Sequence, residues 1–515
     1  MVHRGTARPA PGPGRVRLLR HPGGGSGGPD RRSGSGDAGP GGLLRGGLGP
    51  AGRPAHRRRG GPPPGPVAGA IGPRPARVPD DLPARDVPDA AGPGAPAAAG
   101  QPVAELNRPF PPDTYPVVIV GSGPGGLQLS YCLRSLGVHH AVISADEAPG
   151  GMFHRYPLFQ RLITWSKRHT PVPVDSRPYD WYDWNSLLVD DPTHRIRVPD
   201  FMDGTSIFPS RQEMESAVVA YAEQNRLAVR YRCRWTATRR EEQGFVLDTS
   251  DGAYRCRVAV FCVGMAEPWK PEVPGIDHVP HYIETRPAPE YAGKRVFIIG
   301  KRNSAFELAD ALHPWARQMI LASPRPVVFS VYNHSPAASV RARYVIPYED
   351  HLFGGGTLAL DAAIDRVERH AEGWKVFATG TTTPGAFTFD ADEVIAATGF
   401  TVPLGDLRAL GLKTFSHDRI PSLTPFWESA TVPGLYFGGM LSMGAVGLRR
   451  YGLGSLSGGV AGFRHNMRVL AQHLARTYFG VILPRRELRP DEVVPFLLAE
   501  ATSAPELWNQ RAYLA

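Results

Sequence analysis

The sequence is poor in cysteine and has no long apolar runs. Its 515 residues include four cysteines, Cys132, Cys233, Cys256 and Cys262, and none of them forms a Cys-x-x-Cys pair. This spacing disfavours a dithiol oxidoreductase and a zinc site, so we expect four buried, reduced thiols. No apolar stretch reaches the ~18 residues of a membrane span, which predicts no membrane association.

Lysine and glutamate are missing from the first hundred residues, where nearly all of the basic charge lies. Residues 1–100 hold 15 Arg and six Asp, a net +9 of the chain's +10, with 25 of the 59 Gly and 19 of the 53 Pro. This composition cannot bury enough apolar surface to offset the chain entropy, so residues 1–112 are predicted to be disordered. A basic arm around Arg57-Arg58-Arg59 is the functional alternative. The remaining chain is nearly neutral, which predicts that the folded body does not bind nucleic acid.

The early arginines are not followed by an apolar core. Val16, Leu18 and Leu19 are isolated apolar residues. The pattern therefore predicts neither a secretory nor a twin-arginine signal, and we expect a cytoplasmic protein.

A βαβ unit begins near residue 115. Tyr115–Val120 is a short β-branched run typical of a buried parallel strand, residues 127–136 have helical spacing, and residues 140–143 form a second strand. The turn between strand and helix reads Gly121-Ser122-Gly123-Pro124-Gly125-Gly126. In such a turn the first glycine permits the tight bend, the second lets a phosphate approach the backbone, and the last lets helix and strand pack closely. The unit predicts a dinucleotide site.

The end of the second strand should carry an acid that accepts hydrogen bonds from ribose hydroxyls. Ser144 occupies that position, and Asp146 and Glu147 follow directly. Either one of the two carboxylates reaches back from the loop, with Asp146 and Glu147 as the candidates, or the contact to the ribose is weaker. Pro149-Gly150-Gly151-Met152-Phe153 comes next, and Gly151, Met152 and Phe153 are candidate cofactor contacts.

A second unit of the same design starts at Arg295. It comprises a strand to Gly300, a helix through Leu312 and a returning strand at residues 318–321. A hairpin-like stretch (374–389), strands at 393–399 and 434–438, and a long helix from about Gly459 to Tyr478 follow. The fold class is predicted to be α/β, with two doubly wound Rossmann-like modules, the second inserted in the first. The predicted domains are 113–275 with 385–480 for the first module, 276–384 for the second, and a C-terminal tail from 481 to 515.

At this point the chain resembles the two-dinucleotide-binding-domain flavoproteins, in particular their flavin-containing monooxygenase-like branch, over about residues 113–478. Three segments are most similar to one FAD-dependent member: Tyr156-Pro157, Leu162-Ile163-Thr164-Trp165-Ser166-Lys167-Arg168 and Asp183-Trp184-Asn185-Ser186-Leu187-Leu188. The resemblance implies FAD on the first glycine turn and NAD(P)H on the second.

The stretch at residues 150–210 is rich in aromatic residues and proline, is here called the aromatic segment, and allows two interpretations. Trp165, Trp181 and Trp184 either line a flavin or substrate or pack among themselves. Lys167 and Arg168 either meet cofactor charge or form a solvated surface pair.

The second turn departs from the family pattern. Gly300-Lys301-Arg302-Asn303-Ser304-Ala305-Phe306-Glu307 keeps the Asn-Ser-Ala-x-Glu continuation, but Arg302 stands where a glycine usually lets the pyrophosphate touch the backbone. The side chain either obstructs this seat or points outward and pairs with phosphate through its guanidinium. Asn303 and Ser304 are candidate contacts, and Arg325 is a candidate for the 2′-phosphate of NADPH, which we favour over NADH.

Two further features of the family are expected in this chain. One is the pair of short segments, called crossings, where the chain passes between the two modules, and the other is a glycine segment near the C-terminus that contacts the cofactor. Ala397-Thr398-Gly399 is intact, whereas the first crossing reads Cys262-Val263-Gly264 and loses a hydroxyl. Gly438-Gly439-Met440 replaces the family's Gly-Asp. The resemblance makes Gly399, Gly439 and Gly458 candidate cofactor contacts, and Gly458-Gly459 could direct a helix dipole towards the flavin.

The leading functional prediction is an NAD(P)H-dependent flavin monooxygenase that uses dioxygen on a small organic molecule, with secondary metabolism as one setting. Lys167, Arg449, Arg450 and Tyr451 are the predicted substrate contacts. A flavin oxidase or dehydrogenase without nicotinamide use, and a non-catalytic flavin-binding regulatory protein, are the alternatives. A homo-oligomer is left open.

Overall fold

The computed structural model describes residues 108–157, 159–330, 339–415, 418–444 and 456–509. Residues 1–107 of the segment predicted to be disordered therefore lie outside the described residues. The predicted substrate contacts Arg449, Arg450 and Tyr451 also lie outside them. None of the helices within the described ranges is long and apolar enough to cross a membrane.

Sixteen strands occur in these ranges. They are β1 (Thr114–Val120), β2 (Ala141–Ile143), β3 (Trp235–Glu241), β4 (Gly244–Thr249), β5 (Gly252–Phe261), β6 (Glu267–Pro268), β7 (Arg295–Ile299), β8 (Gln318–Ser323), β9 (Thr357–His370), β10 (Gly373–Gly380), β11 (Ala386–Ala391), β12 (Glu393–Ala396), β13 (Phe400–Thr401), β14 (Thr414–Phe415), β15 (Ile420–Pro421) and β16 (Leu435–Phe437).

Seven α-helices accompany them in the described part of the chain. They are α1 (Pro124–Ser135), α2 (Arg211–Gln224), α3 (Asn303–Leu312), α4 (Ile346–Leu352), α5 (Val460–Phe479), α6 (Pro490–Ser503) and α7 (Pro505–Asn509). Helix α1 begins inside the glycine turn, three residues earlier than predicted, because Pro124 is favourable at the first helical position. The predicted C-terminal tail contains α6 and α7.

The first sheet has the order β2-β1-β5-β4-β3, with β16 paired to β5. Strands β2, β1, β5 and β16 run parallel, whereas β3 and β4 add an antiparallel edge. The parallel strands are buried on both faces, as their continuous apolar runs predict. Strand β16 returns to this sheet after the whole of the second one.

The second sheet has the order β11-β10-β9-β8-β7-β12. Strands β7, β8, β9 and β12 pair in parallel, and β9, β10 and β11 form an antiparallel meander. Alternate residues of β7 enter two apolar clusters, with Val296 and Ile298 in one and Phe297 and Ile299 in the other. The sheet is therefore covered on both faces.

The predicted α/β fold with two Rossmann-like modules is confirmed, and the hairpin predicted at 374–389 is β10 and β11. In both sheets, antiparallel strands interrupt the alternation of strands and helices. Strand β3 was missed because the sequence Trp-Thr-Ala-Thr-Arg-Arg-Glu is largely polar and its strand lies at a solvent-exposed edge. The proposed domain boundaries remain a prediction.

Candidate cofactor-binding site

The first glycine turn joins β1 to α1, and backbone contacts require three of its glycines, of which Gly121 and Gly126 meet atoms of the turn and of the first crossing. Gly121 has φ +112°, and a Cβ there would lie 2.6 Å from the Cys262 carbonyl oxygen. A Cβ at Gly126 would lie 2.0 Å from the Gly121 carbonyl oxygen. Only glycine lets the strand, the turn and the helix approach this closely.

Gly123 is different, because a Cβ at this position would meet nothing within 4 Å. Gly123 is also the N-cap of α1, where no side chain caps the helix and the first turn contains no acid. The start of α1 is therefore uncapped, and the space beside the Cα of Gly123 is open. This arrangement fits a pyrophosphate group.

Two distant glycine segments close around the turn. The Gly150 N–H donates to the Ser122 carbonyl at 3.2 Å, and a Cβ on Gly151 would lie 3.1 Å from the Cα of Gly123. On the other side, a Cβ on Gly125 would lie 2.3 Å from the Cα of Gly439. The structure thus brings the predicted residues Gly151 and Gly439 to the first turn, and Met152 and Phe153 follow in the 3-10 turn Gly151–His154.

The end of β2 carries a hydroxyl and carboxylate network. Ser122 donates to the Ser144 hydroxyl at 2.9 Å, and the Ser144 hydroxyl lies 3.2 Å from Asp146 Oδ2. The Asp146 carboxylate therefore reaches back to the end of β2, which is one of the two alternatives that the sequence left open. Glu147 does not reach it: its side chain is 77% exposed and lies 3.5 Å from Arg232. A ribose-reading role fits Asp146 and not Glu147.

The tryptophans of the aromatic segment contact one another. The rings of Trp165 and Trp184 are 4.3 Å apart, and both indole N–H groups donate to the carbonyl of Trp181. Mutual packing, one of the two interpretations of the sequence, describes these contacts. Lys167 is exposed, and its ammonium lies 5.7 Å from the Tyr182 ring, while Arg168 is also exposed.

The second glycine turn, between β7 and α3, repeats the geometry of the first. Gly300 has φ +138°, and a Cβ there would lie 2.4 Å from the Ala397 carbonyl oxygen. Arg302 is the N-cap of α3, where no side chain caps the helix, and its side chain is exposed. The exposure of Arg302 is compatible with both predictions for its side chain, which stay predictions. Lys301, in contrast, is buried and forms an ion pair with Asp361.

The other residues predicted to contact NAD(P)H lie near this turn, but they differ in exposure and in their partners. The Asn303 side chain donates to the Ser339 carbonyl at 3.2 Å and accepts from the Arg341 N–H at 3.0 Å, so it braces a loop. Ser304 is half-buried at the start of α3, and Arg325 is exposed after β8.

The crossing at Gly399 and the start of α5 complete the predicted set. The Gly399 carbonyl accepts from the His281 ring at 2.9 Å and from the Trp269 N–H at 3.0 Å. A Cβ at Gly458 would lie 2.4 Å from the terminal methyl of Met443. Helix α5 begins next to Gly458 with neither a side-chain cap nor an acid in its first turn, which leaves its positive end available to an electron-rich group.

A buried group of charges beside α5 was not predicted. Arg464 is fully buried and donates to the carbonyls of Asp183 and Ser186 at 3.0 and 2.7 Å. Asp180 lies 3.4 Å from Arg464 and 2.7 Å from Arg195. The only sequence signal was an arginine on the apolar face of a long helix. This group joins the aromatic segment to α5.

The four cysteines are all free and buried, as predicted. Burial raises the pKa of Cys132 to about 11 and the pKa values of Cys256 and Cys262 to about 12. Among the described residues, no group of three or more His, Cys, Asp or Glu side chains could hold a metal ion.

Comparison with known sequences agrees with this geometry. FAD-dependent oxidoreductase domain-containing protein 2 of Mus musculus is 26% identical over 431 residues, which cover 77% of this chain and 63% of that protein. The chain thus spans less than two thirds of this relative's length. Probable indole-3-pyruvate monooxygenase YUCCA1 of Arabidopsis thaliana is 24% identical over 210 residues, covering 37% of this chain and 43% of the plant protein.

Solved structures show the same fold. Bacillithiol disulfide reductase from Staphylococcus aureus superposes with a TM-score of 0.54 at 16% identity, covering 71% of this chain and 99% of that one. A flavin-containing monooxygenase from Stenotrophomonas maltophilia gives 0.52 at 19% identity, covering 70% and 98%.

A family profile decides the assignment. The profile described as pyridine nucleotide-disulphide oxidoreductase matches residues 118–439, which include both glycine turns. The predicted resemblance and the predicted class of flavin-dependent oxidoreductase are confirmed at the level of the family. This chain belongs to the pyridine nucleotide-disulphide oxidoreductase family.

Proposed function

We propose that this chain binds FAD at the first glycine turn and acts as an NAD(P)H-dependent monooxygenase on a small organic molecule. One observation carries the FAD assignment: the uncapped start of α1 faces open space at Gly123, and the glycines at 151 and 439 close around it. Asp146 at the end of β2 is the acceptor for ribose hydroxyls.

NAD(P)H would bind at the second turn. The start of α3 has no side-chain cap, and the exposed guanidinium of Arg302 stands at its N-cap. The exposed Arg325 after β8 supports NADPH as the preferred donor, because a guanidinium can pair with a 2′-phosphate through two hydrogen bonds.

Dioxygen is the proposed electron acceptor. A disulphide reductase requires a reactive dithiol, whereas the four cysteines of this chain are separate and buried, with raised pKa values. Bound FAD would pass two electrons from NADPH to dioxygen, so that one oxygen atom enters the substrate and the other leaves as water. The chain's own part is to hold the nicotinamide in place and exclude water from the flavin. A role in secondary metabolism belongs to the same proposal.

Purification with a visible spectrum and extraction of the cofactor tests the FAD assignment. We expect a yellow protein that releases FAD. A colourless protein that cannot be reconstituted with FAD would contradict the proposal at its first step.

Anaerobic mixing with NADPH and with NADH tests the electron donor. We expect NADPH to bleach the flavin faster than NADH. Arg325→Gln should raise the KM for NADPH about tenfold and leave that for NADH nearly unchanged. Arg317→Gln is the matched control, because Arg317 is exposed at the other end of β8. A flavin that stays oxidised with both nucleotides would instead favour an oxidase or dehydrogenase without nicotinamide use, the alternative that Arg302 suggests.

A further inference from the structure

Glu307, in the second turn of α3, has a carboxylate that accepts three hydrogen bonds in the protein interior. The hydroxyls of Tyr282 and Tyr344 donate to its two oxygens at 2.5 Å each. The backbone N–H of Arg161 donates to Oε1 at 3.2 Å. Tyr282 and Tyr344 are buried, and Glu307 is only 8% exposed, so water does not compete freely for these bonds.

The three donors come from separate parts of the chain. Arg161 lies in the aromatic segment, 146 residues before Glu307, and Tyr282 lies in the connection that leads into β7. Tyr344 ends the 3-10 turn Ala342–Tyr344, which follows β8. One carboxylate therefore ties the second nucleotide module to the segment that extends from the first.

Neighbouring contacts cross the same junction. Arg343 donates to the Leu162 carbonyl at 2.9 Å, and its guanidinium lies 4.7 Å from the centre of the Phe208 ring. The rings of Phe159 and Tyr282 meet edge to face at 6.3 Å. The aromatic segment is therefore held by this module through both polar and aromatic contacts.

Burying a carboxylate at such a junction costs free energy, because the charged group loses its contact with water. Burial raises the pKa of Glu307, although the two tyrosine hydroxyls, the Arg161 N–H and the charge of Arg343 oppose this rise. An apolar side chain would bring the segments together without fixing their relative orientation, whereas directional hydrogen bonds select one arrangement.

We propose that Glu307 is a positioning residue that fixes the second nucleotide module against the aromatic segment, so that the nicotinamide meets the flavin in one orientation. This inference rests on the proposed use of NAD(P)H. Its consequence is kinetic, because a displacement of about 1 Å between reacting groups can slow a reaction about a hundredfold.

The test compares Glu307→Gln, Tyr282→Phe and Tyr344→Phe with Tyr291→Phe. Tyr291 is the matched control: it is buried in the same module, and its hydroxyl accepts from the Arg286 N–H, only five residues away. The three test variants should slow flavin reduction at saturating NADPH about tenfold or more. Flavin content and the Kd for NADP⁺ should stay within about twofold of the unmodified protein, because neither nucleotide is bound by these side chains.

Hydrogen–deuterium exchange supplies a readout that does not depend on turnover. In Glu307→Gln, exchange in the peptide that contains the Arg161 amide should accelerate, because its acceptor is weakened, and Tyr291→Phe should leave it unchanged.

Unchanged exchange and an unchanged reduction rate in Glu307→Gln would overturn the inference, as would an equal slowing in Tyr291→Phe. If neither nucleotide reduces the flavin of the unmodified protein, the proposed donor fails and the positioning role falls with it. The exchange experiment would still decide whether Glu307 joins the two segments.

Discussion

At the scale of single residues, the first glycine turn separates three positions that backbone packing requires to be glycine from one position, Gly123, that packing leaves free. Gly121, Gly125 and Gly126 are fixed by backbone atoms that a Cβ would strike at 2.0 to 2.6 Å. Gly123 has ordinary φ and ψ and open space beside its Cα. Packing therefore does not explain its lack of a side chain, whereas the proposed pyrophosphate group would.

Gly123→Ala should accordingly fold normally and bind FAD poorly. The free energy of unfolding should change by less than about 1 kcal/mol, because alanine fits this backbone conformation. The affinity for FAD should fall about tenfold or more, since the methyl group occupies the phosphate approach. Denaturant titration and the visible absorbance of the purified variant measure the two effects.

Gly405→Ala is the control for this pair of measurements, because a Cβ at Gly405 also meets nothing within 4 Å. It should change neither stability nor flavin content. Normal FAD binding by Gly123→Ala would remove the main support for the proposed pyrophosphate seat.

The buried thiols give a second prediction at this scale. With the pKa of Cys132 near 11 and that of Cys262 near 12, the thiols stay protonated at pH 8, and only about one Cys132 in a thousand is a thiolate. Iodoacetamide should therefore label none of the four cysteines in the native protein and all of them in denaturant, as read by mass spectrometry. Rapid labelling of any two of these cysteines in the native protein would instead support disulphide-reductase activity.

At the scale of elements, the charges between α5 and the aromatic segment act as a unit. Burial alone would raise the pKa of Asp180, but Arg464 and Arg195 lower it to about 2. The folded-state pKa is therefore below the unfolded value of about 3.9. Asp180 stabilises the fold above pH 4, and this contribution of about 2–3 kcal/mol is lost as the pH falls from about 4 to about 2.

Asp180→Asn should destabilise the protein by about 3–5 kcal/mol at pH 7, because it leaves two buried arginines without their carboxylate. The difference from the unmodified protein should narrow as the pH falls below 4, because Asp180 takes up a proton in the unfolded chain near pH 4 and in the folded protein only near pH 2. Urea titrations at pH 7 and pH 3 measure it. Asp175→Asn, on the exposed part of the same segment, should change stability by less than about 0.5 kcal/mol at either pH. A pH-independent difference for Asp180→Asn would contradict the assigned pKa.

At the scale of the whole molecule, the two modules share one design of strand, glycine turn and helix. Each places a glycine of positive φ after a buried parallel strand and starts a helix without a side-chain cap. The residues around the turns differ: Asp146 stands at the end of β2, whereas Arg302 and Arg325 stand at the second site. Carboxylate and guanidinium fit ribose hydroxyls and phosphate respectively.

Removal of residues 1–107 should leave flavin content and turnover unchanged, because both glycine turns and the contacts described for them above lie within residues 108–509. Absorbance and NADPH oxidation by the shortened chain measure this. Salt-dependent DNA binding that disappears with the deletion would favour a regulatory role for the basic arm.

Much of the fold could be predicted because its signals are local. The strand–turn–helix at residues 114–135 follows from a β-branched run, a glycine turn and helical spacing within 22 residues. The meander β9–β11 was recognised only at its hairpin, because the long strand β9 alternates irregularly and pairs with the distant β8. Pairing over that distance leaves little trace in local sequence.

The sequence by itself determined the two glycine turns, their parallel strands and four cysteines without a dithiol spacing, because backbone conformation, periodicity and residue spacing are local properties. Only the tertiary structure brought Asp146, and not Glu147, to Ser144, left Arg302 exposed, and brought Gly439 against Gly125. It also buried Arg464 beside Asp180 and gathered three donors around Glu307. These outcomes depend on which distant segments meet, and burial then gives their charges a strength that the same residues lack in water.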